Sequence, residues 1–383
     1  MIDAGQSMRR LDDMDDDEDE DNIVHQGGDW PIVTAPSSPR QPISQEALER
    51  LVYLVGCPRS GTTIITRCFY LSDRVFSMPN RTSFTHHIWR YRNTIDTRLL
   101  RIIFRMPHFY NEKKVARSLG PEGRAKLERR IHKAFAAKDL RGMYQLYPLV
   151  YSQDPSCQQQ PERATCWADK GNDVYGIFEM ARSFPKARFV FIIRDPRATV
   201  ASMQGQVVRS REEIGLDGTR LTALVTSCIY WRHLTQTFLQ LAARYPERVK
   251  FIYYEDFVRD ASEAINSAIE FGAGERMSSS ILDAALAEYK FKTKHDKSST
   301  GSGIDTRPLE RWRQMLSEAE VTIASALTWR TARKLGYDIA PASRFAALGA
   351  LLRLDGWRSR LVSAAKYAFL ESRELITRPI RQR

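Results

Sequence analysis

Short apolar runs rich in β-branched and aromatic residues alternate along this chain with segments of helical periodicity. The runs are LVYLV (51–55), RVFSMP (74–79), CWADK, ARFVFII (187–193) and VKFIYY (249–254). A run of five to seven residues with little polar alternation fits a strand covered on both faces. Strands separated by helices must pair in parallel, because a tight hairpin cannot join them. The pattern therefore predicts an α/β fold with a central parallel sheet flanked by helices.

The rest of the chain divides around that core. Residues 84–145 carry Arg, Leu and aromatic residues at helical spacing, without strand signals, and read as a helical insertion. The stretch 221–246 reads as one long amphipathic helix, and the C-terminal third is mostly helical in pattern. Residues 1–48 read as a leader without a core of its own: nine acids fall between Asp12 and Asp21, and APSSPRQP follows. The expected organisation is a disordered acidic leader (1–48), one catalytic-sized domain (49–340) and a basic amphipathic segment (341–383).

Charge sharpens this division. The chain carries a net +12, yet its first 50 residues carry −9, so the body is strongly basic. A basic body calls for an anionic partner or for scattered solvated side chains, and charge alone does not choose. The basic residues form no recognised nucleic-acid reading motif, which disfavours nucleic acid. Residues 341–383 hold nine Arg or Lys against three Asp or Glu, around FAALGALLRL and LVSAAKYAFL. Three readings of that segment stay open: an anionic membrane surface, the body of the protein, or a second copy in a homo-oligomer.

No stretch approaches the roughly 20 apolar residues that cross a bilayer. The acidic N-terminus is not a secretory signal. Five cysteines, without CxxC or Cys/His ligand spacing, favour a reducing compartment and argue against a zinc site. The expectation is a cytoplasmic protein, with contact at the inner face of the membrane through 341–383 left open.

GCPRSGTT (56–63) follows the first strand and opens a helix. Such a loop directs backbone N–H groups and a helix N-terminus at an anion. Gly56 and Gly61 have the spacing of a P-loop, and Ser60, Thr62 and Thr63 supply hydroxyls. The expected architecture is thus P-loop nucleotide-hydrolase-like. The lysine that would follow the second glycine is missing, however, and the cation stands upstream at Arg59. A second anion signal is RDPRATVASM, where Arg194 ends a strand and Ser202 lies on the helix that follows. A strand-end guanidinium and a helix hydroxyl can converge on one phosphate.

PRSGTT after the first strand, joined to RDPRxxxxS at the end of a later one, resembles the sulfotransferase family that uses 3′-phosphoadenosine 5′-phosphosulfate (PAPS). The likeness is nearer to the bacterial, tyrosylprotein and carbohydrate-type members than to the cytosolic ones. It extends through ADKGN (168–172), FPKARFVFIIRDPR, FIYYEDF and KSSTGSGIDTRPLERWRQMLSEAE with KLGYD, over roughly residues 50–338. The resemblance implies that Arg59, Ser60, Gly61, Thr62 and Thr63 cradle the 5′-phosphosulfate. It implies that Arg194 and Ser202 bind the 3′-phosphate, and that Tyr254, Ser298, Ser299 and Arg311 contact the nucleotide. Lys170, in the DK pair, is implied as a stabiliser of the transferring group.

Sulfuryl transfer is mainly positioning and electrostatic stabilisation, and a singly charged sulfuryl group needs a divalent metal less than a phosphoryl group does. No metal is expected. An acceptor hydroxyl still needs a base. Some bacterial relatives carry a Glu after the second strand, where MPNRTSFTHH (78–87) has Arg81. That leaves His86 and His87 as the nearest titratable groups, about 100° apart if helical, with His87 preferred. The leading expectation is sulfation of a hydroxyl on a carbohydrate or glycolipid-like acceptor. The alternatives are a P-loop kinase or NTPase, or a non-catalytic PAPS- or PAP-binding protein that lacks the base.

Overall fold

The computed structural model describes residues 42–77, 125–152 in part, 159–213 except 172, 173 and 175, 220–288 and 309–352. The leader up to residue 41, most of the proposed insertion, and 353–383 lie outside the described residues.

Among the described residues five strands form one sheet: β1 (Leu51–Gly56), β2 (Val75–Ser77), β3 (Cys166–Gly171), β4 (Arg188–Ile193) and β5 (Val249–Tyr253). Their order is β2-β3-β1-β4-β5, and every pairing is parallel. The expected parallel α/β sheet is present. The chain fills one side of β1 with β3 and β2, then reverses to the other side for β4 and β5. In such sheets the ligand crevice lies outside the carboxyl ends of the strands at that reversal. Register brings those ends together, since Val55 lies opposite both Gly171 and Phe191, and Gly56 opposite Ile192.

Helices cover both faces, and the strand period of two assigns residues to them. Tyr53, Val55, Phe189 and Phe191 point into one core with Trp231, Phe238 and Leu241. Val52, Leu54, Val190 and Ile192 point into the other with Ile64, Phe69, Ile265 and Ile269. Each fully buried side chain of this size contributes about 1.5–3 kcal/mol relative to exposure. The two-faced burial explains why the strands read as continuous apolar runs.

Among the described residues the helices are, in chain order, α1 (Gln45–Leu48), α2 (Thr62–Tyr70), α3 (Leu140–Tyr151), α4 (Ile177–Ser183), α5 (Pro196–Glu213) and α6 (Arg220–Arg244). They continue with α7 (Tyr254–Arg259), α8 (Ala261–Ala273), α9 (Ser279–Glu288), α10 (Trp312–Met315), α11 (Glu318–Arg333) and α12 (Arg344–Leu352). Pro196 opens α5, where its missing N–H costs nothing. In α6, the long helix expected over 221–246, Leu221, Leu224, Cys228, Trp231, Thr235 and Phe238 recur at three- and four-residue spacing and are buried. A third cluster joins α5, α6, α10 and α11 through Val200, Leu224, Trp312, Leu316 and Ile323. α11 starts with a reciprocal cap: Ser317 accepts from the Glu320 amide, and Glu320 accepts from the Ser317 amide. Among the described residues no helix is long and apolar enough to cross a membrane.

The run CWADK forms the strand expected of it: Lys170 lies within β3, opposite Leu54, and is 4% exposed. The strand begins at Cys166 and continues through the DK pair to Gly171.

Candidate functional site

The glycine loop leaves β1 at Gly56 and enters α2 at Thr62. A Cβ at Gly56 would lie 2.6 Å from the Ile192 carbonyl oxygen and 2.7 Å from Thr62 Cγ2, so the loop folds back closely on β4. Cys57 places its Sγ 3.5 Å from Met203 Sδ, tying the strand exit to α5. Burial pushes the Cys57 thiol well above its ordinary range, which suits an apolar support rather than a nucleophile. The Ser60 amide donates to the Cys57 carbonyl at 3.1 Å and closes the turn.

Two residues of the loop take left-handed backbone angles. Gly61, with φ +79°, is the N-cap of α2, and a Cβ there would lie 2.9 Å from the Tyr254 ring. Arg59 has φ +70°, an uncommon conformation for a residue with a Cβ. Strain of this kind persists where surrounding contacts hold it, and two contacts do so here. Arg194 Nη1 donates to the Arg59 carbonyl at 2.8 Å, and Arg59 Nε donates to Ser202 Oγ at 3.1 Å. The first and second motifs are therefore one hydrogen-bonded unit. Arg59, Arg194 and Ser202, read as partners from sequence, are brought together.

Tyr254 completes the junction. It is the first residue of α7, after β5, and its ring lies under the Arg194 guanidinium at 4.4 Å while closing against Gly61. Arg194 is 6% exposed. Burial pulls its guanidinium down from the ordinary value, opposed chiefly by Tyr254 and Glu255.

Ser60 is fully buried, and its hydroxyl finds no hydrogen-bond partner among the described residues. Thr62 and Thr63 open α2, where the first-turn amides have no intrahelical acceptor. A buried orphan hydroxyl, a helix N-terminus and two arginines at one point fit an anionic group in the loop. The residues present therefore suit the phosphosulfate end of a nucleotide donor.

Further residues hold this frame. Asp195 binds Arg197 through the Arg197 amide at 2.7 Å and through Nη2 at 2.7 Å. Arg197 stacks over Trp312 at 4.5 Å, bringing α10 against the start of α5. Arg311 precedes that tryptophan with an exposed side chain, close in sequence to the contact but not in it. Sequence reading missed the Arg197–Trp312 pair, and the aromatic in ERWRQ was the only signal for it. His86, His87, Ser298 and Ser299 lie outside the described residues, as does Arg81.

Residues 52–273 match the family model described as the sulfotransferase family, more than half of the chain and both anion motifs. The chain belongs to the sulfotransferase family. No curated protein matches this sulfotransferase in sequence. Among solved structures it is similar to the sulfotransferase domain of the Synechococcus PCC 7002 olefin synthase, at 19% identity and a TM-score of 0.44, over 82% of this chain and 100% of that one. The sulfotransferase STF9 of Mycobacterium avium aligns at 18% identity and a TM-score of 0.40, over 82% and 81% of the two chains. A retinol dehydratase in complex with androsterone and the inactive cofactor PAP aligns at 13% identity and a TM-score of 0.35, over 79% and 83%. As a sulfotransferase, the enzyme takes PAPS as its sulfuryl donor.

Proposed function

We propose that this sulfotransferase moves the sulfuryl group of PAPS to a hydroxyl of a carbohydrate or glycolipid-like acceptor. The observation that carries the donor side is the hydrogen-bonded unit of Arg59, Arg194 and Ser202, with a buried, unpartnered Ser60 hydroxyl beside it. On this reading Arg59, Ser60, Gly61, Thr62 and Thr63 receive the 5′-phosphosulfate, and Arg194 and Ser202 receive the 3′-phosphate. Tyr254, Ser298, Ser299 and Arg311 contact the rest of the nucleotide.

The acceptor oxygen attacks sulfur in line, the bond from sulfur to the bridging oxygen breaks, and the leaving group is adenosine 3′,5′-bisphosphate. Charge builds on that leaving phosphate, where Arg59 and the first-turn amides of α2 neutralise it. Lys170 approaches from β3 and stabilises the equatorial sulfuryl oxygens. The acceptor proton goes to His87, or to His86 if the neighbouring ring faces the site. Arg81 then serves an anionic acceptor rather than the proton transfer. The basic body supports an extended or anionic acceptor. The basic segment 341–383 supports a cytoplasmic enzyme that works at the inner face of a membrane, where glycolipid hydroxyls are presented.

An acceptor screen with PAPS labelled in the sulfuryl group tests this reading. Label is expected on oligosaccharides or glycolipids and not on phenols or steroid alcohols. Label found only on the small alcohols would overturn the acceptor class and leave the donor assignment standing.

A further inference from the structure

The peptide unit that joins Arg194 to Asp195 is held at both of its polar atoms. Its carbonyl oxygen accepts from Trp231 Nε1 at 3.2 Å, and its N–H donates to Glu255 Oε1 at 2.9 Å. The other oxygen of the Glu255 carboxylate accepts from the Tyr337 hydroxyl at 2.9 Å. A backbone group at a buried position needs such partners, and two opposed ones leave the peptide plane a single orientation. Arg194 is the residue on which that plane hinges at the end of β4.

The partners come from far along the chain. Glu255 is in the first turn of α7, beside Tyr254, and Tyr337 follows the end of α11. The Tyr337 ring also packs against Tyr253, with centroids 6.0 Å apart, so it is held independently of its hydroxyl. Burial first, then the Glu255 charge, raises the Tyr337 hydroxyl far above its ordinary value, and it stays a proton donor wherever the protein is folded. The Glu255 charge also favours the charged form of Arg194.

We infer that Glu255 and Tyr337 are positioning residues, and that the chain Tyr337–Glu255–Asp195 sets how strongly the site prefers a nucleotide bearing a 3′-phosphate. The inference rests on the donor reading above, in which Arg194 receives that phosphate. Neither residue is placed against the nucleotide; both act through the backbone of Arg194. A guanidinium recognises phosphate through a rigid fork, and a displacement of about 0.5 Å at its root spoils the contact. A contact made elsewhere, at the 5′ end, does not depend on this turn.

The test is calorimetric binding of adenosine 3′,5′-bisphosphate and of adenosine 5′-monophosphate, which lacks the 3′-phosphate. Wild type is expected to prefer the bisphosphate. Tyr337→Phe keeps the ring and removes only the hydroxyl; it should weaken the bisphosphate about tenfold and change the monophosphate by less than about twofold. Glu255→Ala should do the same or more, and Glu255→Gln, which retains an acceptor for the Asp195 N–H, should recover most of the loss. Parallel weakening of both ligands, or no change in either, overturns the inference and leaves the donor reading intact. A Glu255→Gln variant no better than Glu255→Ala overturns the hydrogen-bonded chain as the cause. A wild type without any preference overturns the donor reading, and the inference falls with it. Should Glu255→Ala fail to fold, Tyr337→Phe still decides the matter.

Discussion

Arg194 reaches across the sheet crevice to donate to the backbone carbonyl of Arg59 at 2.8 Å, so one arginine holds the other in a left-handed conformation. The two cations therefore do different work. Arg59 is exposed and bonds to Ser202, whereas Arg194 is buried and holds the loop backbone. Arg59→Ala should lower transfer by about 10²–10³-fold with little change in thermal stability. Arg194→Ala should lower transfer at least as far and weaken nucleotide binding as well, because the loop loses its clamp. Steady-state rates paired with calorimetric binding separate the two outcomes. Equal effects on binding would contradict the division of labour.

Gly61 carries two constraints at once, a positive φ and a Tyr254 ring 2.9 Å from where a Cβ would stand. Gly274 offers an internal comparison, with φ +88° and open space around it. Gly274→Ala should cost about 1–2 kcal/mol of stability from the backbone alone and leave nucleotide affinity unchanged. Gly61→Ala should cost more and should abolish nucleotide binding, since Tyr254 cannot move without leaving Arg194. Denaturant titration and nucleotide binding on both variants check this. Retained affinity in Gly61→Ala would show that the loop tolerates a displaced tyrosine.

Away from the crevice, Glu320 gives a pH signature. Burial pushes its carboxyl up, but bonds from Arg220, the Ser317 amide and Gln204 outweigh that and hold it down at about 2. Arg220 Nε lies 2.7 Å and Gln204 Nε2 2.9 Å from Glu320 Oε1. A carboxylate with a depressed folded value stabilises above its ordinary range near 4.3, and that contribution is lost as pH falls toward about 2. Glu320→Gln should cost about 1–2 kcal/mol at pH 7, the scale of a lost helix cap. The gap to wild type should close between about pH 5 and 2 in urea midpoints. A gap independent of pH would mean that the carboxylate charge plays no part.

Much of the sheet was legible because its strands are buried on both faces and therefore apolar without interruption, as in Phe189–Ile193. The glycine loop and Arg194 were legible because spacing along the chain dictates where a strand ends and a helix starts. CWADK was legible as a strand, but the burial of its polar DK pair was not, because that depends on the neighbouring strands β1 and β2. Left-handed Arg59 was hidden for a related reason: its conformation comes from Arg194 and Ser202, 135 and 143 residues away. The links from Tyr337 to Glu255 and from Trp312 to Arg197 likewise depend on tertiary proximity, which no local pattern encodes.

The measurement that bears most directly on the central claim is release of adenosine 3′,5′-bisphosphate from PAPS labelled in the sulfuryl group, with a mixed pool of hydroxyl acceptors and a metal chelator present. Label should pass to an acceptor in step with nucleotide release, chelator or not, and Arg59→Ala should lower both by about 10²–10³-fold. Tight nucleotide binding without transfer to any acceptor, or magnesium-dependent turnover of ATP in its place, would contradict the account.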